Sequence, residues 1–138
     1  MLTKQQRIDI VQFRIENAEF TIEEAKEQIK SGYYNTAVNR MYYACYYAAS
    51  ALLIANGIVT KSHDGVKQML SLHFIKTGIL PPEYGSIYRD LFDKRSSGDY
   101  EDFFIHTFES ASVLYPDAKE FVDRIRILVA EWLESQKA

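Results

Sequence analysis

Between Tyr33 and Asn56 the sequence is apolar around most of a helical circumference, and this stretch constrains the fold more than any other. Tyr34, Val38, Met41, Cys45, Ala48, Leu52 and Ala55 recur at alternating spacings of three and four, with Ala37, Ala44 and Ala51 alongside. A helix with so little polar surface needs neighbours on most of its sides, which predicts the centre of a bundle or an interface. The most apolar part, around Ala44 to Ala55, is interrupted by Ser50 and flanked by tyrosines. It falls short of the roughly 20 residues that span a bilayer, so it reads as a buried helix with no membrane role.

The neighbours are legible on either side. Ile8, Val11, Ile15, Ala18, Ile22, Ala25 and Ile29 form one stripe of a first helix that Ser31-Gly32 closes. Ser62 is placed to cap a third helix with Asp64 in its first turn; Val66, Met69, Leu70, His73 and Phe74 form its expected buried face and Gly78 its end. Leu80-Pro81-Pro82 breaks the chain before a fourth helix carrying Tyr84, Ile87, Tyr88, Leu91 and Phe92, which Ser96-Ser97-Gly98 is expected to end. The segment from Asp99 to His106 reads as an acidic, aromatic connection. A last helix follows, with Ala111, Leu114, Ala118, Phe121, Ile125, Leu128 and Trp132 on its stripe and a bend expected at Pro116. With no strand-like alternation and no internal repeat, the expected architecture is all-α: an up-and-down antiparallel bundle of about five helices, in a single domain over 1–138.

Composition narrows the functional classes. A net charge of −3 argues against a broadly basic binder of nucleic acid, because counterion release needs a field of Lys and Arg. Cys45 is the only cysteine, which rules out an internal disulfide and suits a reducing cytoplasm. The N-terminal residues run directly into the first amphipathic pattern, so no secretory leader is expected. The three histidines, His63, His73 and His106, form no pair at metal-ligand spacing, so neither a metal nor a cofactor is expected. Ten tyrosines against one tryptophan suggest a polar-lined cleft or an oligomer contact, since buried phenols need partners for their hydroxyls.

Two arginines stand out. A narrow polar stripe of Thr36, Asn39, Arg40, Tyr43, Tyr47 and Ser50 runs along the second helix, placing Arg40 in mid-helix with no dipole end to support it. Arg95 continues the apolar stripe of the fourth helix, where a guanidinium must be paired, stacked or aimed at a ligand. Internal pairing is open for both: Asp99 or Glu101 as acceptors for Arg40, and the helix dipole for Arg95, worth about 0.3–1 kcal/mol.

The order of these features, Asn39-Arg40-x-Tyr42-Tyr43-Ala44, then Ser62-His63-x-Gly65-Val66, then Leu91-Phe92-x-x-Arg95-x-x-x-Asp99-Tyr100, resembles the higher eukaryotes and prokaryotes nucleotide-binding (HEPN) domain over nearly the whole chain. The resemblance implies a bundle that forms homodimers, often encoded beside a minimal nucleotidyltransferase as a toxin–antitoxin pair. In active members an Arg followed four to six residues later by His forms a metal-independent ribonuclease site at the dimer cleft. Here Arg95 is followed by Ser-Ser-Gly-Asp-Tyr-Glu-Asp, so that histidine is missing. The expected role is therefore a nucleotide-related binding module using Asn39, Arg40, Tyr43, Tyr47, Arg95, Asp99 and Tyr100, with Tyr100, at a different spacing, the candidate for the tyrosine near the motif that accepts AMP in some family pairs. The alternatives are a weak ribonuclease relying on Arg95, with His106 as a substitute base if its connection folds back, and a purely structural dimerising domain.

Overall fold

The computed structural model of the chain describes residues 1–100 and 105–137, with side chains described for 1–95 and 105–137. Five α-helices follow in order among these residues: α1 (Lys4–Lys30), α2 (Tyr34–Ala55), α3 (His63–Leu70), α4 (Pro82–Tyr100) and α5 (Phe108–Ser135), with a π-helical turn, Ser71–Ile75, extending α3. Together they form the all-α helical bundle that the periodicity predicts.

Local chemistry sets the ends of these helices. Thr3 and Gln6 close a reciprocal capping box at the start of α1, Thr3 Oγ1 accepting from the Gln6 N–H at 3.1 Å and Gln6 Oε1 from the Thr3 N–H at 3.0 Å. Gly32 and Gly57 end α1 and α2 at φ of 83° and 76°, in the left-handed region that other residues enter at a cost. Ser62 Oγ accepts from the Gly65 N–H at 2.9 Å and opens α3 as expected. Ser62→Ala should lower global stability by about 1 kcal/mol, the usual cost of losing such a cap, as a urea titration can measure.

α2 is the central helix, packed against α1, α5, α4 and α3. Ala37, Ala44, Ala48, Ala49 and Ala51 are fully buried, and they face a core that includes Ala18 and Ala25 of α1 and Ala111 and Ala118 of α5. Small side chains on these faces allow close helix packing, while Met41, Leu53, Phe121, Ile125 and Tyr88 fill the space between.

Three expectations change. The fourth helix does not end at Ser96-Ser97-Gly98 but passes through them to Tyr100; a helical glycine costs about 1 kcal/mol relative to alanine, which weakens a helix without ending it. His73, expected on the buried face of α3, is exposed, because the π turn that contains it shifts the register: Val66, Leu70 and Phe74 stay buried while His73 turns outward. Ser50, placed on the polar stripe of α2, is buried and accepts a hydrogen bond from Arg14 of α1, so it belongs to the α1–α2 contact. α5 continues as one helix through Pro116.

Candidate functional site

The start of α2, the end of α4 and the segment leading into α5 enclose a cavity of about 250 Å³ lined by Asn35, Thr36, Val38, Asn39, Lys94, Arg95 and His106. Two cations, two carboxamides, a hydroxyl and an imidazole converge here with no carboxylate in the described lining, although Asp90, one turn back on α4, pairs with Lys94 at 2.6 Å.

The position of His106 follows from three hydrogen bonds. Its backbone N–H donates to Asn35 Oδ1 at 2.6 Å, tying the entry to α5 onto the first turn of α2. Thr107 caps α5, accepting from the Ser110 N–H at 3.1 Å, while the Thr107 N–H donates back to Ser110 Oγ at 2.9 Å. Ser110 Oγ also lies 3.2 Å from both the Thr107 carbonyl and His106 Nδ1. With its single proton directed to that carbonyl, the hydroxyl accepts from His106 Nδ1–H, which makes Nε2 the basic nitrogen of the neutral ring. Burial and the nearby Lys94 charge hold His106 below its ordinary value of 6.5.

Arg95 rests on aromatic rings. Its guanidinium carbon lies 4.9 Å from the centroid of Tyr42 and 5.5 Å from that of Phe92, a cation–π contact with two rings. Tyr42 is fully buried, and its hydroxyl is 2.6 Å from His63 Nδ1. Burial pushes the Tyr42 phenol up to about 12. His63 stacks on Tyr46 with ring centroids 4.2 Å apart. Burial, and then the charge of Arg95, hold His63 below 6.5.

Both histidines bind a proton less readily in the folded chain, so the unfolded chain binds more protons once the pH falls through 6.5. Their contribution to stability is complete above that value and is lost as the pH falls through the lower folded values. A series of thermal melts from neutral to mildly acidic pH should show Tm decreasing, with a shallower decrease in the His63→Gln/His106→Asn double variant.

Of the residues singled out from the sequence, Asn39 and Arg95 line the cavity. Arg40 does not. It is half-buried beside it, donating to Asn39 Oδ1 at 3.1 Å and lying 5.0 Å from the ring centroid of Tyr43, whose ring is 6.1 Å from that of Tyr47. The side chains of Asp99 and Tyr100, and the whole of Glu101, lie outside the described residues. Sequence reasoning missed Asn35 and Lys94, named Tyr42 and His63 only within the motifs of the resemblance, and placed His106 in the cleft only conditionally. The available signal for Lys94 was its adjacency to Arg95; for Tyr42 it was its place beside the polar stripe. Among the described residues no group of His, Cys, Asp or Glu is placed to hold a metal ion, and no helix is long and apolar enough to cross a membrane.

Known proteins are similar to this chain in sequence or in fold. A UPF0332 protein of Thermotoga maritima is 33% identical over 122 residues, covering 88% of this chain and 92% of its own. A Methanocaldococcus jannaschii protein named "Putative toxin MJ0605" is 35% identical over 123 residues, covering 89% and 91%. The crystal structure of an archaeal HEPN homologue superposes with a TM-score of 0.70 at 20% identity, covering 86% of this chain and 97% of that one. The sequence profile of the HEPN domain matches residues 11–128, and the chain belongs to the HEPN domain family.

Proposed function

We propose that the cavity is an anion site for the phosphate of a nucleotide or an RNA strand, and that the protein acts as a nucleotide-related binding module. The observation that carries this reading is the convergence of Lys94, Arg95, His106, Asn35, Thr36 and Asn39 on one cavity of about 250 Å³. Arg95 supplies a planar fork of donors suited to phosphate oxygens, Lys94 a second positive charge partly offset by Asp90 at 2.6 Å, and the carboxamides and hydroxyl neutral donors. Beside it, Arg40 on Tyr43, with Tyr47 next in line, offers a cationic and aromatic face for a base or ribose, joined to the cavity through Asn39. Asp99 and Tyr100 complete the proposed set, Tyr100 as an acceptor of AMP.

Relatives named as toxins and the family membership support a cytoplasmic homodimer partnered with a minimal nucleotidyltransferase in a toxin–antitoxin-type pair. Titration of the purified protein with fluorescent AMP and with a short single-stranded RNA tests the reading. Saturable binding that sulfate competes away supports it; absence of binding to both overturns it. Light scattering that returns the monomer mass would overturn the homodimer.

A second reading, metal-independent cleavage of RNA, is favoured by His106 standing on the same cavity as Arg95. His106 Nε2 would take the proton of a ribose 2′-hydroxyl, whose oxygen attacks the adjacent phosphorus. The 5′-oxygen leaves with a proton from water, producing a 2′,3′-cyclic phosphate, while Arg95 and Lys94 offset the charge that builds on the phosphate. This reading predicts that His106→Asn abolishes cyclic-phosphate product yet still binds RNA; product formed equally by that variant would refute it.

A further inference from the structure

Beside Tyr42 stands His63, which the cavity itself does not include. Tyr42 is the neighbour it shares with Arg95: the face of the ring carries the guanidinium at 4.9 Å, and the hydroxyl meets His63 Nδ1 at 2.6 Å. The imidazole is wedged among aromatic rings, 4.2 Å from Tyr46 and 5.7 Å from both Tyr42 and Tyr43 between centroids. We propose that His63 is a positioning residue of the anion cleft: acting through Tyr42, it fixes the ring on which Arg95 rests, and it takes up a proton when an anion occupies the cleft. The inference rests on reading the cavity at Arg95 as an anion site.

The hydrogen bond suits both protonation states. Burial keeps Tyr42 a phenol, whose O–H donates to Nδ1 when neutral His63 carries its proton on Nε2; once His63 is protonated, Nδ1–H donates to the phenol oxygen instead. Among the described residues, the titratable and charged groups about His63 are Tyr42, Tyr43 and Tyr46 of α2, Asp64 and Lys67 of its own helix and Arg95 of α4. Lys67 is drawn aside, 3.7 Å from Asp64 and 4.3 Å from the Phe92 centroid, which leaves Arg95 as the cation that opposes a charge on the imidazole. An anion bound at Arg95 offsets that opposition. Reciprocity then requires that the anion raise the proton affinity of His63 by the same factor by which the proton raises anion affinity.

Sulfate is the appropriate probe because its charge is constant through the histidine range, whereas a phosphate monoester titrates with a pKa of about 6. The His63 ring signals of the intact protein, assigned by their loss in His63→Gln, are followed by NMR across pH without sulfate and with saturating sulfate. The expected result is an increase of about fivefold or more in His63 proton affinity when sulfate is bound. His63→Gln, which keeps an acceptor for the Tyr42 hydroxyl, should bind sulfate like the parent at mildly alkaline pH and gain less affinity on acidification. His63→Ala should be weaker throughout. An unchanged His63 titration in the presence of sulfate that still requires Arg95 would overturn the inference while leaving the anion site standing. If sulfate does not bind at all, the anion site fails and the inference fails with it.

Discussion

Arg95→Ala should lower affinity for AMP, sulfate or single-stranded RNA by about 10- to 100-fold, from the roughly 1.5–3 kcal/mol that a hydrogen bond to a charged group is worth. The same change should leave the fold largely intact. Arg95 is half-buried, and its contact with Tyr42 and Phe92 is worth about 0.5–2 kcal/mol. Arg95→Lys separates charge from shape. It keeps a cation near the cavity but loses the planar fork and the flat contact with the rings, so its affinity should fall between the other two. Isothermal titration of the three proteins, each checked by a thermal melt, makes the comparison. Equal affinities in all three would remove Arg95 from the site and, with it, the proposed function.

Phe121→Ala should be the most damaging single truncation in the core. Phe121 is fully buried in α5, its ring 5.7 Å from that of Tyr88 and 6.1 Å from that of Tyr84. Removing it opens a void where α5 meets α4 and α2, and the backbone, held close by neighbouring alanines, has little freedom to collapse into it. The expected loss is about 3–5 kcal/mol, a large share of the roughly 5–15 kcal/mol that holds a domain of this kind together. Denaturant unfolding should show the midpoint falling sharply with an unchanged slope. A loss below about 1 kcal/mol, the cost of a volume-conserving swap, would mean that the core is looser than these contacts indicate.

The bundle was legible because helix periodicity is a local property, repeated in every turn. α2 announced its central place by being apolar almost all round, and the opening of α3 by Ser62. The boundary of α4 was not legible, since a Ser-Ser-Gly run weakens a helix without dictating its end. The outward turn of His73 was hidden because a π turn, which moves every later side chain around the axis, leaves no fixed mark in residue spacing. The arginines were recognisable as anomalies: Arg95 continues an apolar stripe, and Arg40 lies in mid-helix within the most apolar segment of the chain. Their surroundings were not. The Tyr42–His63 bond joins positions 21 residues apart, and the Asn35–His106 bond positions 71 apart. No pattern within one helix contains either pair.

The way His106 is held has a consequence for how proteins of this kind can diverge. Its place depends on the Asn35 carboxamide and on the first turn of α5, both set by the bundle. Where the imidazole stands is therefore decoupled from how many residues separate it from Arg95. Insertions or deletions between Tyr100 and Ile105 could change that number without moving the ring. A signature that counts residues from arginine to histidine would pass over such chains, whereas a search for a carboxamide at the start of the second helix facing a capped fifth helix would retain them.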